Sequence, residues 1–419
     1  MDVKKYFNRY KAPILVTVII WLMIGQYSSL VFPEQTSTET VETVFVPNAA
    51  EGGGLQLLFS GNSEAKKESE YKQRREEIGL DEDGLLSVMS KMKGLYAYEH
   101  LSDQGKTLYA EIYRIFITRS EEILISSTNT NVIDTTCNYV LADHPEIFWV
   151  NGYTYTKRTS GDKIKHILFS GNYVYNKTEI LQKQTLINKE VEMIARGVPA
   201  GSDYDKAKYI YEYVIKKTIY DPQAEDNQNI ISVFLNGRSV CQGYAKTIQY
   251  LLNYMKIPCT LVSGVAGGVN HVWDLAYIDG EYTYIDATWG DTSYQTADKK
   301  TVSVIDYSYL CATYNDMATT HSFSNILAVP QNTNGTNSYF VHEGTYLKTY
   351  DKEQVQKIFD NSYKKGQNSV QLKCSSKTVF NEILDDFIEN NKIFDYMEEG
   401  EEDFSYTIME EKNVIIIWL

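Results

Sequence analysis

The chain has few cysteines for its length, five in 419 residues: Cys137, Cys241, Cys259, Cys311 and Cys374. None is spaced as C-x-x-C or in another metal-binding pattern, and an odd count leaves at least one thiol unpaired within the chain. H-E-x-x-H, the P-loop and a strand-to-helix G-x-G-x-x-G are all missing. The glycine-rich GVAGGVN, Gly264 to Asn270, lies between two expected strands and reads as a turn. Neither a metal nor another cofactor is therefore expected. No cluster of Lys and Arg follows the N-terminus, and a formal charge of −15 repels phosphate backbones, so nucleic acid is not an expected partner. There is no internal repeat.

With 43% hydrophobic residues the chain can build two or three compact units. At the N-terminus, Lys4, Lys5, Arg9 and Lys11 precede an uncharged run from Ala12 to Pro33. At about 1.5 Å per helical residue that run spans roughly 30 Å, enough to cross a bilayer. Residues 1–33 are read as a transmembrane signal-anchor with the positive flank in the cytoplasm, a cleaved signal peptide being the alternative. Residues 34–84, rich in charge and small polar groups, read as a tether. Residues 85–197 read as an N-terminal α+β region, with strands on either side of Asn151-Gly152, a hairpin signal. Residues 198–337 form the central domain. Residues 338–419 read as a small C-terminal α+β domain in the order strand, helix, strand, helix, hairpin.

The stretch RSVCQGYAKTIQYLL, Arg238 to Leu252, puts Cys241 where a loop becomes an amphipathic helix. A thiol in the first helical turn lies near the positive end of the peptide dipoles and beside free N–H groups, both of which favour the thiolate. Alone, Cys241 reads equally as a buried packing residue or as half of a disulfide with Cys259. The segments HVWDLAYI and EYTYIDATW are joined through Asp279-Gly280, a two-residue turn signal that makes paired residue numbers sum to 559. His271 then lies opposite Thr288 and Asp286 opposite Trp273, all four on one face. His271 and Asp286 become diagonal neighbours about 7 Å apart along the backbone, within reach of each other's side chains. That geometry suits an imidazole held by a carboxylate on one nitrogen and receiving a thiol proton on the other. Asp274 points to the opposite face and reads as structural. Trp273 and Trp289 read as core or as cleft walls. An oxyanion would bind the Cys241 N–H, with Tyr220 as a second donor. His100, His144 and His321 read as surface, turn or packing residues.

SVCQGYA, NHVWDLAYIDGEY and IDATWGD resemble the three signature blocks of the transglutaminase-like superfamily, whose core is related to papain-like cysteine proteases. Ala287 stands where that family usually has proline, and Ser239 where a glycine is common. The resemblance implies an α+β papain/transglutaminase-like core, a helix bearing Cys packed on an antiparallel sheet bearing His and Asp. It implies Cys241 as nucleophile, His271 as base and Asp286 as orienting acid. The expected protein is a membrane-anchored, extracytoplasmic thiol enzyme that forms a thioester from a peptide or glutamine carboxamide. Its expected partners are peptide or protein substrates, cell-wall or surface peptides among them. The alternative is a non-catalytic surface module that keeps the fold to bind peptide or glycan.

Overall fold

The structure, a computed structural model, describes residues 38–47, 54–64, 68–295, 301–331, 333–399 and 404–419. The signal-anchor expected at 1–33 lies outside them. Among the described residues no helix is long and apolar enough to cross a membrane. Thr38–Leu419 is one compact unit.

The expected tether is corrected. Thr38–Pro47 and Gln56–Glu64 are paired strands, and Glu68–Glu77 and Glu82–Met92 are helices. Val41 and Val44 are buried despite the polar composition; they lie three apart, with a register shift against the neighbouring strand between Thr43 and Val44. Thr38–Pro47 joins Val150–Ser160, which pairs on its other side with Lys163–Tyr173, in a five-stranded sheet. The hairpin expected at Asn151-Gly152 is also corrected, since both residues lie inside the strand Val150–Ser160. A Cβ on Gly152 would come 2.5 Å from the Val46 carbonyl oxygen, so this glycine serves the close approach of a neighbouring strand and not a turn.

The central sheet has the order Glu281–Ile285, Val269–Ile278, Cys259–Ala266, His321–Phe323, all antiparallel. Ala276 and Ile278 join the main core with Leu251 and Leu252 of the helix Cys241–Tyr254. Trp273 and Leu275 point the other way, into a smaller cluster with Val262, Tyr284, Tyr309 and Met317. Each face of the central strand is thus covered.

The tail has the element order read from the sequence: Tyr346–Leu347, Lys352–Lys364, Ser369–Cys374, Lys377–Leu384, then the hairpin Ser405–Met409 and Val414–Trp418. It has its own core around Phe359, Phe380 and Phe387. Among the side chains that reach beyond it is Lys412, 4% exposed, which places Nζ 3.6 Å from the ring centroid of Tyr309. That ammonium has no hydrogen-bond acceptor among the described residues. Burial pushes its pKa down to about 8, with Asp306 and Asp316 pulling the other way.

Candidate functional site

Cys241 is the first residue of the helix Cys241–Tyr254, and its preceding residue, Val240, offers no side-chain cap. The Gly243 and Tyr244 N–H groups close on the Val240 carbonyl at 3.0 and 3.1 Å, which sets Cys241 in the first turn, near the positive end of the helix dipole. The segment leading in, Arg238–Ser239, pairs in parallel with Ile219–Tyr220, which brings Tyr220 alongside. Ser239, where a family glycine is common, is buried and bonded through Oγ to Ser232 Oγ at 2.6 Å. All five cysteines are free thiols, which removes the Cys241–Cys259 disulfide. Cys259 instead points its sulfur at Asp274 Oδ1, 3.5 Å away, on the face opposite His271. Four of the thiols are buried, and only Cys241 is partly exposed.

The turn between the central strands is the expected one. Asp279 and Gly280 both have positive φ, 44° and 91°, and Ile278 pairs with Glu281. The ladder follows the 559 register as far as Ile285 opposite Asp274 and then stops. Asp286 leaves the strand to cap the short helix Ala287–Gly290, its Oδ1 accepting the Thr288 and Trp289 N–H groups at 3.0 and 3.1 Å. The expected cross-strand pair of Thr288 with His271 is therefore absent. Ala287 occupies the first helical position, where proline is well tolerated, and this accounts for the proline usual in the family. Release from the strand does not separate the predicted pair: His271 Nε2 donates to Asp286 Oδ2 at 2.7 Å. Asp286 occupies Nε2, which leaves Nδ1 as the ring nitrogen for the sulfur of Cys241, a residue that lines the same cleft.

His321 is the residue that the sequence reading missed. Expected as a surface or packing histidine, it has a side chain with 0% exposure, and its Nε2 donates to Asp286 Oδ2 at 2.9 Å. Its short strand, His321–Phe323, pairs with Gly264–Ala266, and Gly264 also lies opposite His271. A Cβ on Gly264 would come 2.0 Å from the Ser322 carbonyl oxygen and 2.7 Å from the Trp273 ring, so this glycine serves the close approach of the His321 strand and of the ring beneath both imidazoles. His271, Asp286 and His321 offer three ligand atoms within 4.8 Å of one another. Ligands sharing a tetrahedral zinc at about 2.0–2.1 Å would stand roughly 3.3 Å apart. The contacts of 2.7 and 2.9 Å are those of charge-assisted N–H···O bonds. His144 caps the helix Thr130–Asp143 and bonds Glu146, and His100 is exposed, so neither belongs to the site.

Burial alone would push the His271 imidazole down, but the Asp286 charge and hydrogen bond override it and raise the ring to about 10. The same partners, with His321, overcome burial at Asp286 and hold its carboxyl well below the usual carboxylate range. His271 thus contributes stability that is fully present below the ordinary imidazole value of about 6.5. That contribution is lost as pH rises through about 10. Thermal melts of the protein should fall across this window, and His271→Gln should flatten that part of the profile.

Cys241 and His271 open on a cleft of about 600 Å³. One wall, with Tyr139, Leu141 and Ala142, comes from the N-terminal region; the other comes from Leu261 to Val265 and Ser322 to Leu327. Among the described lining residues there is no Asp, Glu, Lys or Arg. Tyr220 also lines the cleft, its hydroxyl kept protonated because burial, then the nearby Cys241 and Asp286 charges, push it up to about 12. Trp273 is fully buried and outside the lining, so it is core; Trp289 packs edge-on to His271.

Residues 192–287 match the family model described as the transglutaminase-like superfamily. The mouse Kyphoscoliosis peptidase is 23% identical over 118 residues, covering 24% of this chain and 18% of that protein. A solved TGase structure is similar at 19% identity over 36% of this chain and 48% of its own, with a TM-score of 0.25. A candidate cysteine protease from Cytophaga hutchinsonii is similar at 14% identity over 37% of this chain and 62% of its own, with a TM-score of 0.22. The chain therefore spans under a fifth of the curated relative and less than two thirds of each of these solved chains.

Proposed function

Since residues 192–287 belong to the transglutaminase-like superfamily, we propose that the protein is a cysteine-dependent acyl-transfer enzyme acting on peptide or glutamine carboxamide bonds. The observation that carries this is the His271 ring, bonded through Nε2 to Asp286 at 2.7 Å and lining one cleft with Cys241. With Nε2 held by Asp286, the His271 ring can take the Cys241 proton on Nδ1. The Cys241 sulfur then attacks the carbonyl carbon, and the oxyanion falls to the Cys241 N–H and the Tyr220 hydroxyl. His271 gives its proton to the departing nitrogen as the C–N bond breaks, leaving a thioester. Water or an amine, deprotonated by His271, attacks the thioester and restores the thiol. The uncharged cleft lining suits a carboxamide and an extended peptide more than an acidic or basic group.

The reading extends to placement. The uncharged run Ala12 to Pro33 behind four basic residues supports a membrane anchor with the enzyme outside the cytoplasm, where wall or surface peptides are the accessible substrates.

Iodoacetamide tests the chemistry. Near pH 6, where a free thiol is almost wholly protonated, Cys241 should alkylate at least tenfold faster than a model thiol, as read by mass spectrometry. The buried cysteines contribute little background. A rate no faster than the model thiol would leave the binding-module reading in its place. Peptide profiling with and without an added primary amine then separates hydrolysis from transamidation.

A further inference from the structure

Asp286 accepts four hydrogen bonds, and the Cys–His–Asp reading accounts for only one side-chain donor. Oδ1 takes two backbone N–H groups, and Oδ2 takes His271 and His321 together. The partners of His321 fix its tautomer. Nε2 faces an ionised carboxylate and so carries the proton; Nδ1 lies 2.8 Å from Thr320 Oγ and accepts the hydroxyl proton. The ring is enclosed by Trp273, Trp289 and Tyr309, with centroids 4.9, 5.1 and 5.9 Å away. The titratable groups acting on it are Asp286, His271 and Lys412. Burial, with both cations adding to it, favours the neutral ring over the pull of Asp286.

We propose that His321 is a positioning residue, a neutral imidazole that clamps Asp286 Oδ2 beside His271 so that the carboxylate stays ionised and aimed in both protonation states of the base. The proposal rests on the acyl-transfer reading. Its logic follows the proton. While His271 is an imidazolium, its charge stabilises Asp286. Once His271 has passed its proton to the departing nitrogen, Asp286 is a buried anion beside a neutral ring. The remaining charge loss is offset by the other donors, of which His321 is the one side chain. Sharing Oδ2 also lowers the basicity that Asp286 confers on His271, which eases delivery of the Nδ1 proton.

Two variants test this. His321→Leu fills the pocket without a donor, and His321→Gln keeps an Nε2 donor at a similar reach. Turnover of a peptide substrate should fall roughly tenfold in His321→Leu, in kcat with KM unchanged, as expected for one charge-assisted bond. His321→Gln should recover most of it. Proton spectra of the 15N-histidine-labelled protein should show two downfield Nε2–H resonances in the wild type, one from each ring bonded to Asp286. One should remain in either variant, displaced further downfield in His321→Leu. Equal loss in both variants, tracking a fall in melting temperature, would make His321 a packing residue and overturn the proposal. So would a His271 resonance that does not move in His321→Leu. The spectra are read without turnover, so an inactive protein with two downfield protons sinks the acyl-transfer reading while leaving the clamp standing.

Discussion

Asp286→Asn lowers turnover by roughly 10³–10⁴-fold while the chain stays folded, because it spoils a tautomer and not a scaffold. The asparagine oxygen can still accept the Thr288 and Trp289 N–H groups that cap Ala287–Gly290. Its NH₂ group then replaces Oδ2 and meets the N–H of His271 and of His321. Donor faces donor. His271 answers by moving its proton to Nδ1, the nitrogen directed at Cys241, and can no longer accept the thiol proton. Kinetics and a thermal melt check this together: a variant that keeps a tenth of wild-type turnover would remove Asp286 from its orienting role. Alanine is the poorer probe, since it removes the cap and strips two buried imidazoles of their acceptor at once.

Trp273→Ala should cost about 3–5 kcal/mol of stability, the range for truncating a large buried aromatic. The side chain has 0% exposure and packs on His271, His321 and Phe323, at centroid distances of 5.9, 4.9 and 5.1 Å. Its indole N–H has no hydrogen-bond partner among the described residues, so the loss is one of packing. Urea unfolding gives the number, and a loss under about 1 kcal/mol would mean the site collapses without strain into the space left. Trp273→Phe should recover part of it. Thiol alkylation in the folded alanine variant should slow as well, because the floor beneath both imidazoles is gone.

The candidate triad was legible in the sequence because its geometry is local. Asp279-Gly280 dictates a two-residue turn, and that turn sets the register that brings His271 to Asp286. The register failed one residue beyond Ile285, where the aspartate used its other oxygen to start a helix. That competition between ladder and cap is decided by neighbours and not by strand alternation. His321 was illegible for a different reason. Its strand is three residues long, lies 35 residues past Asp286, and is placed by pairing with the sheet edge. A period-two pattern cannot be read in three residues. The tether reading failed because charge and small polar residues were weighed above Val41 and Val44, whose burial only matters once a distant strand supplies the partner.

The cation of Lys412 lies against the aromatic face of Tyr309, and the Tyr309 carbonyl in turn receives the Asp286 main-chain N–H at 3.0 Å. A tail residue seven positions from Leu419 thereby props the backbone that carries the acid. The segment recognisable as family ends at residue 287, so a fragment trimmed to it would own the sulfur, the ring and the carboxylate yet lack Tyr309, His321 and Lys412, which brace the acid from behind.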